Sequence, residues 1–212
     1  RWVKIVANGI CGSDLNFFNE GRLGNFVVTK PYVPGHEASG TIEAVGSKVQ
    51  GISPGDHVVI EPGIPCGRCH YCRIGRYNLC GEVVFLSAPP INGTFCDYVS
   101  VRWDSVHVIP NEMHFEYGAL VEPAAVAVHA VNRARFYNGG TAVIVGAGPI
   151  GLLTLQAFKA AGGTKVTCID KMAKRLELAK KLGADEVIDT TRDGSELHDI
   201  ADVAFETAGS AQ

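Results

Sequence analysis

The sequence predicts an α/β protein in two parts, an all-β first part followed by the opening half of a doubly wound parallel sheet. Three observations carry that expectation. Short strand-like runs punctuated by Gly and Pro fill residues 1–110, a helical texture takes over at residues 115–134, and strand and helix patterns then alternate from residue 141 onward. The change of texture puts a domain boundary near Glu122, dividing the chain into 1–122 and 123–212.

The elements follow in order. Trp2-Val3-Lys4-Ile5-Val6 alternates as a half-buried strand does, and Gly9-Ile10-Cys11-Gly12 breaks it into a glycine turn. Residues 41–45 and 56–60 read as strands separated by the Pro/Gly turn at 51–55, and residues 94–101 and 106–110 add two more. Cys96 and Cys168 fall in such runs and are expected as core residues. Helices are expected at 115–120 and 123–134, with Pro123 acceptable in a first turn. The apolar run 141–145 is of the buried parallel kind; a helix at 150–161, a strand at 165–169, a helix at 173–182 stopped by Gly183, and strands at 186–189 and 202–206 complete the pattern. Both ends look cut, since the chain opens inside a strand and stops just after another.

Composition narrows the function. The 212 residues are 46% hydrophobic and 19% charged, an ordinary globular balance, and a net charge of -3 supplies no basic stripe for nucleic acid and no polybasic cluster for anionic membranes. Electrostatics therefore favour a small-molecule partner. No apolar run approaches the roughly 20 residues that span a bilayer, and the first residues lack the pattern of a secretory signal. The expected location is intracellular, in the cytoplasm. There Asn92-Gly93-Thr94, although it fits a glycosylation sequon, is only a turn.

Seven cysteines in a reducing compartment call for a reason other than disulfides. Four of them, Cys66, Cys69, Cys72 and Cys80, lie in a loop rich in Gly, Arg and Tyr that has little apolar surface to order it. Four thiolates around a tetrahedral ion would supply the missing folding energy, which predicts a structural Zn²⁺; an iron–sulfur cluster would need a redox role that nothing else in the sequence supports. A second constellation is more open. Cys11 and the pair His36-Glu37, in the turn Val33-Pro34-Gly35-His36-Glu37, offer one sulfur, one nitrogen and one oxygen. Three protein ligands with an open position are how a catalytic zinc is held, whereas a structural one is closed by four.

Glu122 is the remaining carboxylate of note, because its neighbours Ala119, Leu120, Val121 and Pro123 are apolar. An ionised Glu there needs a cation, a donor or a proton, although a carboxylate at a helix N-terminus is also stabilised by the macrodipole. The second half opens on Gly146-Ala147-Gly148-Pro149-Ile150-Gly151, placed directly after a strand and before a helix, with Asp170 at the end of the next strand. In that context G-x-G-x-x-G is the dinucleotide fingerprint: Gly146 for the turn, Gly148 for approach to the pyrophosphate, Gly151 for helix–strand packing, and Asp170 for the ribose hydroxyls. A carboxylate there favours NAD over NADP. Lys171, Lys174 and Arg175 are nearby cations, Arg175 a further candidate for cofactor binding, and they weaken that preference unless they simply form a solvated helix face.

Gly9-Ile10-Cys11-Gly12-Ser13-Asp14, Gly35-His36-Glu37, the four-cysteine loop and the glycine fingerprint together resemble the zinc-containing medium-chain dehydrogenase/reductase superfamily. The resemblance runs through Gly21-Arg22-Leu23-Gly24-Asn25-Phe26, Ala88-Pro89-Pro90 and Ala119-Leu120-Val121-Glu122-Pro123, and it is nearest to the polyol branch, the sorbitol dehydrogenases. It implies a GroES-like catalytic domain at 1–122, a partial Rossmann domain at 123–212, one catalytic and one structural zinc, NAD, and a homo-oligomer, dimer or tetramer. Cys11, His36, Glu37 and Glu122 match the branch's catalytic metal residues, with either Glu37 or Glu122 as direct ligand, and Ser13 corresponds to the start of its proton relay. Asn16 stands where a relay histidine is frequent and Phe17 where many relatives have tyrosine. The implied reaction takes hydride from a secondary alcohol of a polyol such as sorbitol or xylitol to NAD, giving a ketose. The same chemistry on 2,3-butanediol or threonine, or an inactive zinc-binding fragment, are the alternatives.

Overall fold

A computed structural model describes residues 1–192 and 198–209. They fall into two compact units, Arg1–Glu122 and Pro123–Gln212. None of the described helices is long and apolar enough to cross a membrane.

The first unit runs through β1 (Trp2–Gly9), α1 (Gly12–Glu20), β2 (Arg22–Leu23), β3 (Phe26–Val27), β4 (Glu37–Ala44), β5 (His57–Ile60), β6 (Gly63–Ile64), α2 (His70–Arg73), β7 (Val84–Phe85), β8 (Tyr98–Ser100), β9 (Val106–Val108) and α3 (Phe115–Ala119). Five strands pair in the order β8-β1-β4-β5-β9, all antiparallel. Alternation along the strands turns Val3, Ala38, Ile42, Val58, Ile60 and Val106 into one core. Pairing β1 with β4 sets Gly9 opposite Glu37, which brings the end of the first strand to the start of the metal motif.

Three expectations for this unit need correction. The chain does not break into a glycine turn after β1; Gly12 opens the nine-residue helix α1. Asp14 takes the Cys11 backbone N–H at 3.0 Å, Phe17 is buried beneath the helix, and Gly21 ends it in the left-handed region with its N–H on the Phe17 carbonyl. Nor is 94–101 one strand, since only Tyr98–Ser100 pairs. The residues before it spend their backbone donors on the loop carrying the His-Glu pair: Gly93 N–H on Val33 O at 2.6 Å, Thr94 N–H on Gly35 O at 2.8 Å, Phe95 N–H on Pro34 O at 2.9 Å. Cys96 lies in that stretch, half-buried and outside any strand, so it is not a core residue, whereas Cys168 is fully buried.

From Val121, α4 (Val121–Ala134) begins two residues earlier than expected, because Pro123 still falls in a first turn whose N–H groups need no partner. The second unit continues with β10 (Thr141–Val145), α5 (Pro149–Ala160), β11 (Lys165–Asp170), α6 (Ala173–Lys181), β12 (Glu186–Asp189) and β13 (Val203–Glu206). Its strands are parallel in the order β12-β11-β10-β13, the 3-2-1-4 order of half a doubly wound sheet. Phe158 is wholly buried at its centre, with Phe136 at 4.3 Å and Phe205 at 5.9 Å between ring centroids. Truncating so buried a ring to Ala costs about 3–5 kcal/mol.

Candidate functional site

Strand pairing and the Pro-Gly turn bring Cys11, His36 and Glu37 together, with one ligating atom of each within 4.8 Å of the others. Cys11 is the N-cap of α1, Glu37 is the first residue of β4, and His36 is the last residue of the loop before it. Gly9 makes the cluster possible, since a Cβ there would lie 2.0 Å from Glu37 Oε2. Burial raises both the Cys11 thiol and the Glu37 carboxyl above their ordinary ranges; Ser13 opposes the first shift by hydrogen bonding the sulfur, and His36 opposes the second. Buried acids that resist ionisation around one imidazole fit a divalent cation, whose charge reverses that preference. His36 Nδ1 is buried and makes no hydrogen bond, 3.9 Å from Asp14 Oδ1.

Glu122, half-buried in the first turn of α4, lies outside this trio of ligating atoms but within its field. Burial raises its carboxyl, the His36 charge opposes that, and Glu37 adds to it. Asp14 was not singled out in the sequence, although it is 5% exposed and central. Its two oxygens take the backbone N–H groups of Cys11 and Gly35 and the hydroxyl of Ser87, at 3.0, 3.1 and 3.0 Å. An acidic residue three positions after Cys11, at a helix start, was the available signal.

Cys66, Cys69, Cys72 and Cys80 form a second cluster, their four sulfurs all within 4.8 Å of one another. The short helix α2 and the turn at Tyr77–Leu79 carry no buried residue, and Tyr71, Ile74, Tyr77 and Leu79 are exposed. Backbone N–H groups of Arg68 and Cys69 draw the Cys66 thiol down to about 6, while burial and the neighbouring sulfurs push Cys72 up to about 12. Four sulfurs so close cannot all ionise alone, and a tetrahedral dication is what permits it.

In the second unit Gly146 (φ 98°) turns the chain after β10, and Gly148 caps α5 with Pro149 and Ile150 as its first two residues. A Cβ at Gly151 would sit 1.8 Å from the Gly146 carbonyl oxygen, so helix and loop touch where only glycine fits. Asp170 closes the loop: its Oδ2 accepts from Ala147 N–H at 2.8 Å and its Oδ1 from Met172 N–H at 2.8 Å, with Arg175 Nη1 3.7 Å away. A cavity of about 240 Å³ opens here, lined among others by Gly146, Gly148, Asp170, Lys171, Arg175 and Thr207. It lies at the carboxyl ends of the strands, where doubly wound sheets bind nucleotides. Thr207, which the sequence reading passed over, donates its hydroxyl to the Gly146 carbonyl at 2.8 Å.

Such sites on such folds define a class, the zinc-containing dehydrogenases with a barrel lobe and a Rossmann-type sheet. Comparison with known families makes the assignment specific. Residues 2–111 match the alcohol dehydrogenase GroES-like domain and residues 149–212 match the zinc-binding dehydrogenase domain. The chain belongs to the alcohol dehydrogenase family carrying these domains. It is 45% identical to a sorbitol dehydrogenase of Bacillus subtilis over 98% of this chain and 61% of that protein. Among solved structures it resembles a protein described as a zinc-binding dehydrogenase from Sinorhizobium meliloti bound to NADP, with a TM-score of 0.90, 34% identity, and coverage of 99% of this chain and 63% of that one. It also resembles an Escherichia coli alcohol dehydrogenase complexed with NADH, with a TM-score of 0.83, 29% identity, and coverage of 98% and 61%. The chain thus spans about three fifths of the length of its curated relatives.

Proposed function

We propose that the full-length protein is a zinc- and NAD-dependent polyol dehydrogenase, oxidising a secondary hydroxyl of a sugar alcohol such as sorbitol or xylitol to a ketose. The observation that carries this reading is the Cys11–His36–Glu37 cluster with the Glu122 carboxyl in its field. In it, residues 1–122 are the catalytic domain and residues 123–212 the start of the NAD-binding domain. Cys11, His36 and Glu37 hold the catalytic zinc, and Cys66, Cys69, Cys72 and Cys80 hold the structural one. The catalytic ion supplies Lewis-acid polarisation of the substrate hydroxyl, and NAD supplies the hydride acceptor.

The remaining work falls to this chain's own groups. Ser13, on the first turn of α1 with its hydroxyl on the Cys11 sulfur, starts the proton relay: its oxygen accepts the substrate's proton as its own hydroxyl proton is handed on toward solvent. Glu122, in the field of the trio, holds a polar partner, water or a second substrate hydroxyl. With a single thiolate, unlike a site with two, the cluster keeps carboxylates facing the substrate, which suits a ligand bearing several hydroxyls.

Gly146, Gly148, Pro149, Ile150 and Gly151 present the first turn of α5 to the pyrophosphate. Asp170 keeps unused lone pairs for the ribose hydroxyls, since each carboxylate oxygen has so far taken one N–H. Its charge disfavours a 2′-phosphate, while Arg175 beside it softens the exclusion. The same reading takes the reducing cytoplasm as location and a dimer or tetramer of identical subunits as working form. NADH formation by the full-length protein across sorbitol, xylitol, 2,3-butanediol and threonine tests it; turnover confined to butanediol or threonine, or absent throughout, would sink the polyol reading.

A further inference from the structure

Among the described residues three non-glycine positions have positive φ, and of these only Ser87 (φ 72°) is deeply buried, at 2% exposure. A left-handed conformation costs an L-residue free energy, so its retention in a packed interior calls for compensation by what the residue does there. Ser87 lies two residues past Phe85, the end of the short strand β7 that follows the cysteine lobe. Its Oγ accepts the Gly35 N–H at 3.0 Å and donates to Asp14 Oδ1 at 3.0 Å. Gly35 precedes His36, and Asp14 lies three residues after Cys11 with its other oxygen on the Cys11 N–H. That hydroxyl therefore reinforces the direct bond from the Gly35 N–H to Asp14 Oδ1, at 3.1 Å, and with it ties together the two chain segments that deliver the sulfur and the imidazole. From the same stretch, the Phe85 ring meets the His36 ring edge-on at 5.6 Å.

We propose that Ser87 is a positioning residue for the Cys11–His36–Glu37 metal site, its hydroxyl fixing the Gly35 and Asp14 backbone and carboxylate so that the imidazole faces the thiolate. This rests on the metal reading given above. Groups that orient metal ligands in this way typically change metal affinity by about 10–100-fold when removed. The hydroxyl, rather than the backbone shape, is the active element: without it the Gly35 N–H keeps only its longer bond to Asp14 Oδ1, at 3.1 Å, and that oxygen loses its buried hydroxyl donor.

The test compares Ser87→Ala with Ser87→Gly in the full-length protein, following zinc loss to a chelator and thermal unfolding. Cys11→Ser marks which of the two zinc equivalents belongs to the catalytic cluster. Both variants are expected to release that equivalent about 10-fold faster than wild type while the cysteine-lobe zinc is held as before. Ser87→Gly, freed of the left-handed strain, should unfold at a higher temperature than Ser87→Ala yet hold zinc no better. Zinc release at the wild-type rate in both variants, with or without a change in unfolding temperature, would overturn the proposal, as would recovery of zinc retention in Ser87→Gly. A wild-type protein that carries zinc only in the cysteine lobe would instead overturn the metal reading, and the role of Ser87 with it.

Discussion

Glu122 shows how far one residue can be read before any fold is known. Its apolar neighbours announce a carboxylate in need of a partner, and the structure sets it in the field of His36 and Glu37, where burial raises its carboxyl. If it serves the metal site as proposed, Glu122→Gln in the full-length protein should leave folding and NAD binding intact and lower turnover of a polyol by about 10²-fold, the scale of one displaced catalytic electrostatic group. A residue that merely stabilises the α4 N-terminus would instead cost about 1 kcal/mol of stability with turnover unchanged. Steady-state kinetics beside a denaturant titration separates the two outcomes. Asp14 was harder to see than Glu122, because its importance lies in three bonds to groups 3, 21 and 73 residues away, and only the nearest of these leaves a trace in the local sequence.

At the scale of elements, what was legible was what is local. The strands of the second unit announce themselves as short apolar runs followed by amphipathic helices, and β10 and β12 coincide with the expected runs to the residue. Helix α1 was missed because Gly12 opens it, and glycine ordinarily signals a turn; its actual determinants are the Asp14 cap, the buried Phe17 and the Gly21 stop. The stretch before β8 was misread for the opposite reason, since its β-branched and aromatic residues suit a strand while its backbone donors are committed to the loop at 33–35. For the cysteine lobe the expectation is local too. Cys69→Ser should remove one zinc equivalent and loosen residues 71–80, while amide exchange in β1, β4 and β5 stays as in wild type, because those strands share a core of their own. Loss of the catalytic zinc in that variant would show that the two clusters are wrongly divided.

For the whole molecule, the two units have separate cores, and the residues lining the nucleotide cavity run from Val145 to Ala208, all in the second unit. Stripping both metals with a chelator should therefore leave NADH affinity, read by fluorescence titration, at its original value, while the loops of the first unit lose exchange protection. A fall in NADH affinity on stripping would mean that metal order reaches the glycine loop. The grip on the His36 loop has one more implication. Three of its bonds run from the main chain of residues 93–95 to main-chain carbonyls at 33–35, and a side chain at Gly93 would collide with the Gly35 oxygen at 2.1 Å. Main-chain bonds are indifferent to which side chains flank them but not to how many residues lie between, so a single insertion or deletion between Ser87 and Gly93 would shift every donor off its acceptor, whereas the identity of Thr94 is held by other means, its burial and its bond from the Asn8 amide at 2.8 Å. In descendants of this sequence, the length of that segment should outlast its spelling.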